Sequence, residues 1–221
     1  MENNIKGAIV YQDEFLIAIN KPAGLLSQSG RGGEQSVKEQ IESILQHEIF
    51  ILNRIDRPVS GIVMFAKSKR AAAKFSESLK KAEKKYIAIV ENKPQNESGT
   101  LEDYLQKTGN KSIVTDDKEK GQIAKLKFRV IGQGDNYHYL EVILSTGRYH
   151  QIRAQLANIS CLIMGDVKYG ARRGLKDRSI GLHAFEITLS HPFLLKEITI
   201  KAPFPEKSIW ADVKTKLTLG K

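Results

Sequence analysis

Short apolar runs dominate the pattern of hydrophobic and polar positions along this chain, and they predict strands rather than long helices. Each run is rich in β-branched or aromatic residues and is bounded by polar turn residues. The runs that predict single strands lie at residues 8–11, 15–19, 62–66, 86–90, 182–189 and 196–201. Two further runs, at 123–130 and 137–144, flank Gly132 and Gly134 and predict an antiparallel hairpin.

Apolar residues recur at helical spacing in only a few segments of the chain. Helices are predicted for residues 36–47, for the segment after Ser68, for 150–158 and for 206–216. Ser68 is a residue type that caps helices, and the apolar stripe behind it comprises Ala72, Phe75, Leu79 and Ala82. These helices are too few to alternate with the strands.

The balance of elements predicts an α+β fold built on a mostly antiparallel sheet that is flanked by helices. Residues 104–121 are polar and lysine-rich without clear periodicity, and they are interpreted as a surface excursion. The chain shows no internal repeat and no convincing linker. A single domain over residues 1–221 is therefore expected.

The net charge of the chain indicates which class of molecule the protein binds. The 221 residues include 35 Lys and Arg against 25 Asp and Glu, which leaves a formal net charge of +10. Such an excess favours a polyanion, with nucleic acid first and an anionic membrane surface second. The helix after Ser68 concentrates positive charge in Lys69, Arg70, Lys74, Lys80, Lys81, Lys84 and Lys85. A polyanion contact and a solvated face are both open for this helix, and also for the glycine-rich loop at residues 27–33.

Several classes of protein are excluded by what the sequence lacks. One cysteine, Cys161, excludes an internal disulfide framework and a multi-cysteine zinc site. No apolar run approaches the length that a membrane span needs, and the first six residues lack a signal-peptide core, so a cytoplasmic protein without membrane association is expected. The sequence contains no phosphate loop, dinucleotide turn or serine nucleophile elbow, and its five histidines lack metal-ligand spacing. Neither a metal nor any other cofactor is expected.

Two polar stretches are candidates for chemistry. In the first, residues 53–57, Asp56 lies between Arg54 and Arg57 within a loop bounded by proline and glycine. The second, residues 147–153, enters a predicted helix through a tight turn that carries Arg148, and helix starts of this kind favour anions. On the residues alone, a salt-bridged turn explains the first stretch and a charged helix face explains the second.

Together the two stretches resemble the signatures of RNA pseudouridine synthases of the RluA class. The matching strings are Arg-Ile-Asp-Arg-Pro-Val-Ser-Gly at 54–61 and Gly-Arg-Tyr-His-Gln-Ile-Arg at 147–153. Supporting matches follow in the expected order at 20–24, 85–86, 165–170, 182–184 and 191–192. The resemblance implies one catalytic domain with a long, mixed, mostly antiparallel sheet and an RNA-binding cleft across it. A separate S4 RNA-binding domain, which some members of that class carry, is not expected here, because only the 53 residues up to Asn53 precede the match at 54–61.

The resemblance implies roles for individual residues as well. Asp56 would be the catalytic carboxylate, either attacking C1′ of the sugar or removing a sugar proton, and Arg153 would pair with it. Tyr86 would stack on the flipped base, and Arg54 would fill the space that the base leaves. Candidates for contacts with the RNA are Lys21, Arg57, Arg148, His150 and Lys168. The chain departs from the usual family pattern at two positions, Asn53 and Tyr149.

Three functions are therefore weighed. The first is isomerisation of uridine to pseudouridine in structured RNA, by a monomer, with ribosomal RNA preferred and transfer RNA possible. A glycosidase is the second, but it needs a second carboxylate as proton donor, and neither stretch supplies one beside Asp56. The third is a non-catalytic RNA-binding or ribosome-assembly protein, which would use the positive charge but gives no reason for an aspartate between two arginines.

Overall fold

A computed structural model describes residues 5–30 and 35–219 of the chain. The strands are β1 (Ile9–Gln12), β2 (Leu16–Lys21), β3 (Phe50–Ile51), β4 (Ser60–Ala66), β5 (Glu83–Val90), β6 (Ser98–Thr108), β7 (Lys111–Thr115), β8 (Gln122–Gln133), β9 (His138–Leu144), β10 (Leu182–His191) and β11 (Lys196–Lys201). The helices are α1 (Val37–Leu45), α2 (Lys69–Lys81), α3 (Gln151–Asn158) and α4 (Ser208–Leu219), with 3-10 helices at Ile5–Ala8 and Val167–Tyr169. The α+β class and the predominance of antiparallel strands are confirmed. Part of the glycine-rich loop, residues 31–33, lies outside the described residues.

The chain forms two compact units. The first comprises residues up to Lys84 together with Ala184–Pro203, and the second comprises Lys85–His183 together with the chain from Phe204 onward. The single domain expected from the sequence, its monomeric state and its RNA-binding cleft stay predictions. Among the described residues, no helix is both long enough and apolar enough to cross a bilayer.

In the first unit the core lies on strands that are buried along their length. All seven residues of β4 are buried, which explains the continuous apolar run in its sequence. It pairs antiparallel with β2, in a register that runs from Leu16 opposite Ala66 to Lys21 opposite Gly61. Helix α2 covers this core with Phe75 among its buried side chains.

Both predicted helix starts of the first unit are confirmed. Helix α1 begins after Ser36, whose backbone N–H donates to the Glu39 carboxylate at 2.7 Å. Helix α2 begins after Ser68, whose hydroxyl accepts a hydrogen bond from the backbone N–H of Ala71 at 3.1 Å. The helix ends at Lys81, so the last two lysines assigned to its face, Lys84 and Lys85, lie instead on β5.

In the second unit the strands follow the spatial order β5, β9, β8, β6, β7. The predicted hairpin is confirmed as the antiparallel pair of β8 and β9. Helix α3 packs against β6 and β8 through Ala154, which contacts Leu105 and Ala124. This helix carries the second signature stretch, so its packing fixes that stretch on the sheet.

The interpretation of residues 104–121 as a surface excursion is wrong. Most of that segment is the end of β6 and the whole of β7, and β6 pairs with β8 over eight residue pairs. The exposed residues of β6, such as Glu102 and Lys107, far outnumber its single buried side chain, Leu105. Backbone pairing of β6 with β8, and of β7 with β6, forms these strands, and the side chains supply too few apolar positions to show it.

Candidate functional site

The loop that carries Asp56 is fixed by side chains on both sides of it. Ser27 lies beside Ile55: the Ser27 hydroxyl donates to the Ile55 carbonyl at 3.0 Å and accepts from its N–H at 3.3 Å. Asn53 bridges to β4, donating from Nδ2 to the carbonyl of Ile62 at 3.1 Å and accepting from the N–H of Met64 at 2.8 Å. Asp56 directly follows these two anchored residues and is half-buried. Its carboxylate is therefore presented by a backbone with little freedom.

Asn53, one of the two departures from the family pattern, thus has a clear structural role. Its amide group both donates to and accepts from the backbone of β4, which a carboxamide can do with one side chain. The departure keeps the loop tied to the strand that follows it.

A second loop ties down Arg57, the residue after Asp56. The N–H of Gly24 donates to the Arg57 carbonyl at 2.8 Å, and Nε of Arg57 donates to the Gly24 carbonyl at 2.9 Å. Gly24 has φ +95°, a conformation that side chains rarely adopt. Arg57 is exposed, although this bond directs its guanidinium toward the loop at residue 24.

Lys21 is fully buried at the end of β2, beneath these two loops. Its three ammonium protons match three backbone carbonyls, those of Pro22 at 3.0 Å, Leu25 at 2.9 Å and Arg57 at 3.3 Å. Burial lowers the pKa of Lys21 from its usual 10.5 to about 7. The positive charge of Arg57 lowers this pKa further, whereas the negative charge of Asp56 partly offsets the decrease. A phosphate contact needs a solvent-facing ammonium, so the structure moves Lys21 from the RNA-contacting set to the support of the Asp56 loop.

The strand that follows the loop needs a glycine at its second position. Gly61 has φ +113°, and a Cβ atom there would lie 2.3 Å from the carbonyl oxygen of Ala184. The close approach of the two strands thus excludes any side chain at residue 61. This is the physical reason for the glycine that ends the first signature stretch.

The second signature stretch is a turn held by a buried glutamine. Oε1 of Gln151 accepts from the Thr146 hydroxyl at 2.8 Å and from the N–H of Arg148 at 3.0 Å. His150 precedes helix α3 with φ 52°, in the left-handed region. The turn therefore leaves Arg148 and Tyr149 exposed and turns the next side chains inward.

Arg153 lies at the centre of a buried polar network. Its Nε and Nη2 atoms donate to the two carboxylate oxygens of Asp166 at 2.7 Å and 2.8 Å, and both side chains are almost fully buried. Its Nη1 lies 2.9 Å from Nε2 of His150. An arginine has donors only, so Nε2 accepts and the imidazole carries its proton on Nδ1. Nδ1 lies 2.9 Å from the hydroxyl oxygen of Tyr169, which accepts this proton in a hydrogen bond.

The remaining candidates lie on the surface or partly below it. Arg54 is exposed in the first unit, and Tyr86 is half-buried on β5 in the second. Arg148 and Lys168 are exposed and each donates to a backbone carbonyl, that of Ile123 at 2.9 Å and that of Asn110 at 3.2 Å. Among the described residues, no group of three or more His, Cys, Asp or Glu side chains is arranged to hold a metal ion.

The structure groups the candidates by unit. Lys21, Arg54, Asp56 and Arg57 belong to the first unit, and Tyr86, Arg148, His150, Arg153 and Lys168 belong to the second. His150 is buried with both ring nitrogens beside polar partners, so it leaves the set of phosphate contacts, as Lys21 does. The pairing of Arg153 with Asp56 stays a prediction; within its own unit, Arg153 is paired with Asp166.

Sequence reasoning missed the residues that support the two stretches. Asp166 lies inside one of the quoted matches, so an acidic residue in a glycine-bounded motif was an available signal. Tyr169 lies in the same match and joins the network through its hydroxyl. Ser27 gave no signal, because a serine in a polar loop resembles any solvated residue.

Known proteins similar to this chain share one description. A family model for RNA pseudouridylate synthase matches residues 15–158. Ribosomal large subunit pseudouridine synthase C of Rickettsia typhi is 31% identical over 209 residues, covering 89% of this chain and 68% of that protein. tRNA pseudouridine synthase C of Vibrio parahaemolyticus is 32% identical over 222 residues, covering 88% of this chain and 89% of that protein.

Solved structures agree on the fold. Human RNA Pseudouridylate Synthase Domain Containing 4 matches with a TM-score of 0.78 at 22% identity, covering 97% of this chain and 94% of that one. Human RNA Pseudouridylate Synthase Domain Containing 1 matches with a TM-score of 0.72 at 18% identity, covering 95% and 94%. At these identities the likeness bears on the fold alone.

Proposed function

Because this chain belongs to the RNA pseudouridylate synthase family, we propose that it converts uridine residues of ribosomal or transfer RNA to pseudouridine, with ribosomal RNA preferred. The chain is thus an RNA isomerase, and the non-catalytic RNA-binding alternative is not favoured. The observation that carries the proposal is Asp56: a half-buried carboxylate in the matched family segment, on a loop anchored from both sides.

The reaction rearranges bonds without a net change in composition. The bond between N1 of the base and C1′ of the ribose breaks, the base turns, and C5 bonds to C1′; C5 loses a proton and N1 gains one. Nothing is oxidised or reduced. Asp56 supplies the charged group at the sugar, either as the nucleophile at C1′ or as the base that takes a sugar proton.

The target base must leave its helix before this chemistry begins. We assign Tyr86 to stack on the flipped base and Arg54 to occupy the space that it leaves. Arg153, the substrate-binding candidate of the second unit, is assigned a positioning role, because Asp166 and His150 hold its buried guanidinium beneath the second signature stretch. Arg57, Arg148 and Lys168 are exposed and are assigned to RNA contacts.

Helix α2 adds positive charge for the RNA backbone. Its exposed cations are Lys69, Arg70, Lys74, Lys80 and Lys81. Lys80 is paired with Glu77, but both side chains are largely exposed, so water screens that pair. We propose that this face neutralises phosphates, which makes RNA binding weaken as salt rises.

The decisive experiment replaces Asp56 with asparagine. Asp56→Asn removes the charged group at nearly constant volume, and we expect turnover to fall at least about 100-fold while RNA affinity is retained. The substrate is total RNA from cells that lack the protein, and new pseudouridines are mapped by carbodiimide labelling, since the product has the mass of uridine.

Asp116→Asn is the matched control, because Asp116 is exposed and belongs to neither signature stretch. The control should modify the same uridines at the wild-type rate. Equal turnover by Asp56→Asn and Asp116→Asn would remove Asp56 from catalysis, and no modification by the wild-type protein would remove the proposed function.

A further inference from the structure

Tyr149 is an aromatic side chain that the fold leaves in solvent. It is 41% exposed, and among the described residues no other Phe, Tyr or Trp is as exposed. The hydrophobic effect favours burying a ring of this size, so packing gives no reason for its position. Position 149 is also one of the two departures from the usual family pattern, which has threonine there, so the ring is a feature of this chain.

The exposed ring is held in place by buried neighbours. It stacks on the ring of His150, with centroids 4.0 Å apart and planes 21° from parallel. Its hydroxyl donates to the Asn110 carbonyl at 3.2 Å, and its own carbonyl accepts from the Ser112 hydroxyl at 2.6 Å. His150 in turn is fixed by the buried network around Arg153. The ring is therefore positioned before any ligand arrives.

Positive charge surrounds the ring. Nζ of Lys107 lies 5.0 Å from its centroid, and Nζ of Lys168 donates at 3.2 Å to the same Asn110 carbonyl that accepts from the Tyr149 hydroxyl. The two segments that form this surface, residues 105–115 and 142–165, contain no Asp or Glu. Of the acidic residues that flank these segments, Asp166 is buried against Arg153 and Glu141 is buried beside Arg129.

We infer that Tyr149 is a stacking platform for an unpaired base of the substrate RNA, and that Lys107 and Lys168 contact the phosphates beside that base. A fixed aromatic ring among lysines is the arrangement that binds single-stranded nucleic acid, because every base offers a π-face and every linkage a negative charge. Lys107 has a flexible stem, so its ammonium can leave the ring for a phosphate as the base stacks. The inference rests on the proposed function, because it names the part of the RNA that this surface binds.

The first test compares two RNA ligands. Tyr149→Ala should weaken binding of a single-stranded oligouridylate about 10-fold or more, and should weaken binding of a paired RNA duplex of equal length much less. Tyr149→Phe keeps the ring and should retain most of the affinity. Ile44→Ala is the matched control, since Ile44 is 40% exposed on helix α1 of the first unit and lies outside both segments, and its variant should bind as the wild type does.

The second test maps the contact. Ultraviolet crosslinking of Asp56→Asn to oligouridylate, followed by mass spectrometry, should place a nucleotide on Tyr149. On substrate RNA, Tyr149→Ala should raise KM more than it lowers kcat, whereas a merely structural role would lower the melting temperature and kcat together.

The outcomes separate this inference from the proposed function. Wild-type modification of RNA together with unchanged oligouridylate affinity in Tyr149→Ala would overturn the platform and leave the isomerase. A crosslink at Tyr149 and a specific loss of single-strand affinity, in a protein that modifies no RNA, would support the platform and overturn the isomerase. Equal losses of oligouridylate affinity in Tyr149→Ala and Tyr149→Phe would also overturn the platform, because the affinity would then depend on the hydroxyl rather than on the ring.

Discussion

Each of the two units buries one cation next to a signature stretch, and the two solve the same electrostatic problem differently. In the first unit, Lys21 is fully buried and donates to three neutral carbonyls. In the second, Arg153 is 4% exposed and is bound by both oxygens of the Asp166 carboxylate. Carbonyl dipoles stabilise the charge of Lys21, whereas a full negative charge, that of Asp166, stabilises the charge of Arg153.

The difference decides how each cation responds to its surroundings. Carbonyl dipoles offset only part of the cost of removing an ammonium from water, so burial lowers the pKa of Lys21 to about 7. An arginine keeps its proton in proteins, so burying one requires a carboxylate to balance it. The support of the Asp56 loop is therefore sensitive to pH near neutrality.

The largest effect is expected from a substitution that breaks the buried pair of Arg153 and Asp166. Asp166→Ala leaves a buried guanidinium without its carboxylate, and a broken buried pair of this kind costs about 3–5 kcal/mol of unfolding free energy. The measurement is chemical denaturation of the purified variant at pH 7. Asp116→Ala, at an exposed position, should change the unfolding free energy little. A loss no larger than that of Asp116→Ala would show that Asp166 does not balance Arg153.

A smaller effect is expected from the first arrangement. Lys21→Met keeps the length of the side chain but leaves three carbonyls without their donor, each worth about 1–3 kcal/mol if it stays unpaired. The variant also removes the cost of burying a charge, so we expect a net loss of about 1–3 kcal/mol at pH 7, below that of Asp166→Ala. Chemical denaturation of Lys21→Met and Asp166→Ala side by side compares their losses of unfolding free energy. A loss in Lys21→Met equal to or larger than that in Asp166→Ala would contradict the expected order.

The smallest effect, taken per pH unit, is a pH dependence that Lys21 alone should produce. Its pKa is about 7 in the folded protein against 10.5 in its usual state, so between these values the unfolded chain binds more protons. The unfolding free energy of the wild type should therefore rise with pH above 7, by at most about 1.4 kcal/mol per pH unit, relative to Lys21→Met. Parallel profiles of the two proteins from pH 6 to about 9 would contradict the shift in pKa.

The sequence by itself predicted the local elements whose signals are local. Ser36 and Ser68 each begin a helix, and the apolar run that becomes β4 is buried throughout. The β8–β9 hairpin follows from two runs around a glycine-containing turn. The two signature stretches were also found from their residues, because dense charge between proline and glycine is unusual and their order along the chain matches a known family.

Only the tertiary structure decided which polar side chains are buried. Lys21 and His150 carry the residue types of RNA contacts, yet both lie inside, while Asp166, to which no role was assigned, balances Arg153. Strand β6 likewise arises from pairing with the separate strand β8 rather than from its own apolar pattern, and β7 pairs with β6 as a local hairpin. For the buried charges the physical reason is that a lysine or an aspartate is stable inside a protein only when other groups supply its hydrogen bonds or opposite charge, and a linear sequence does not state which groups the fold brings to it.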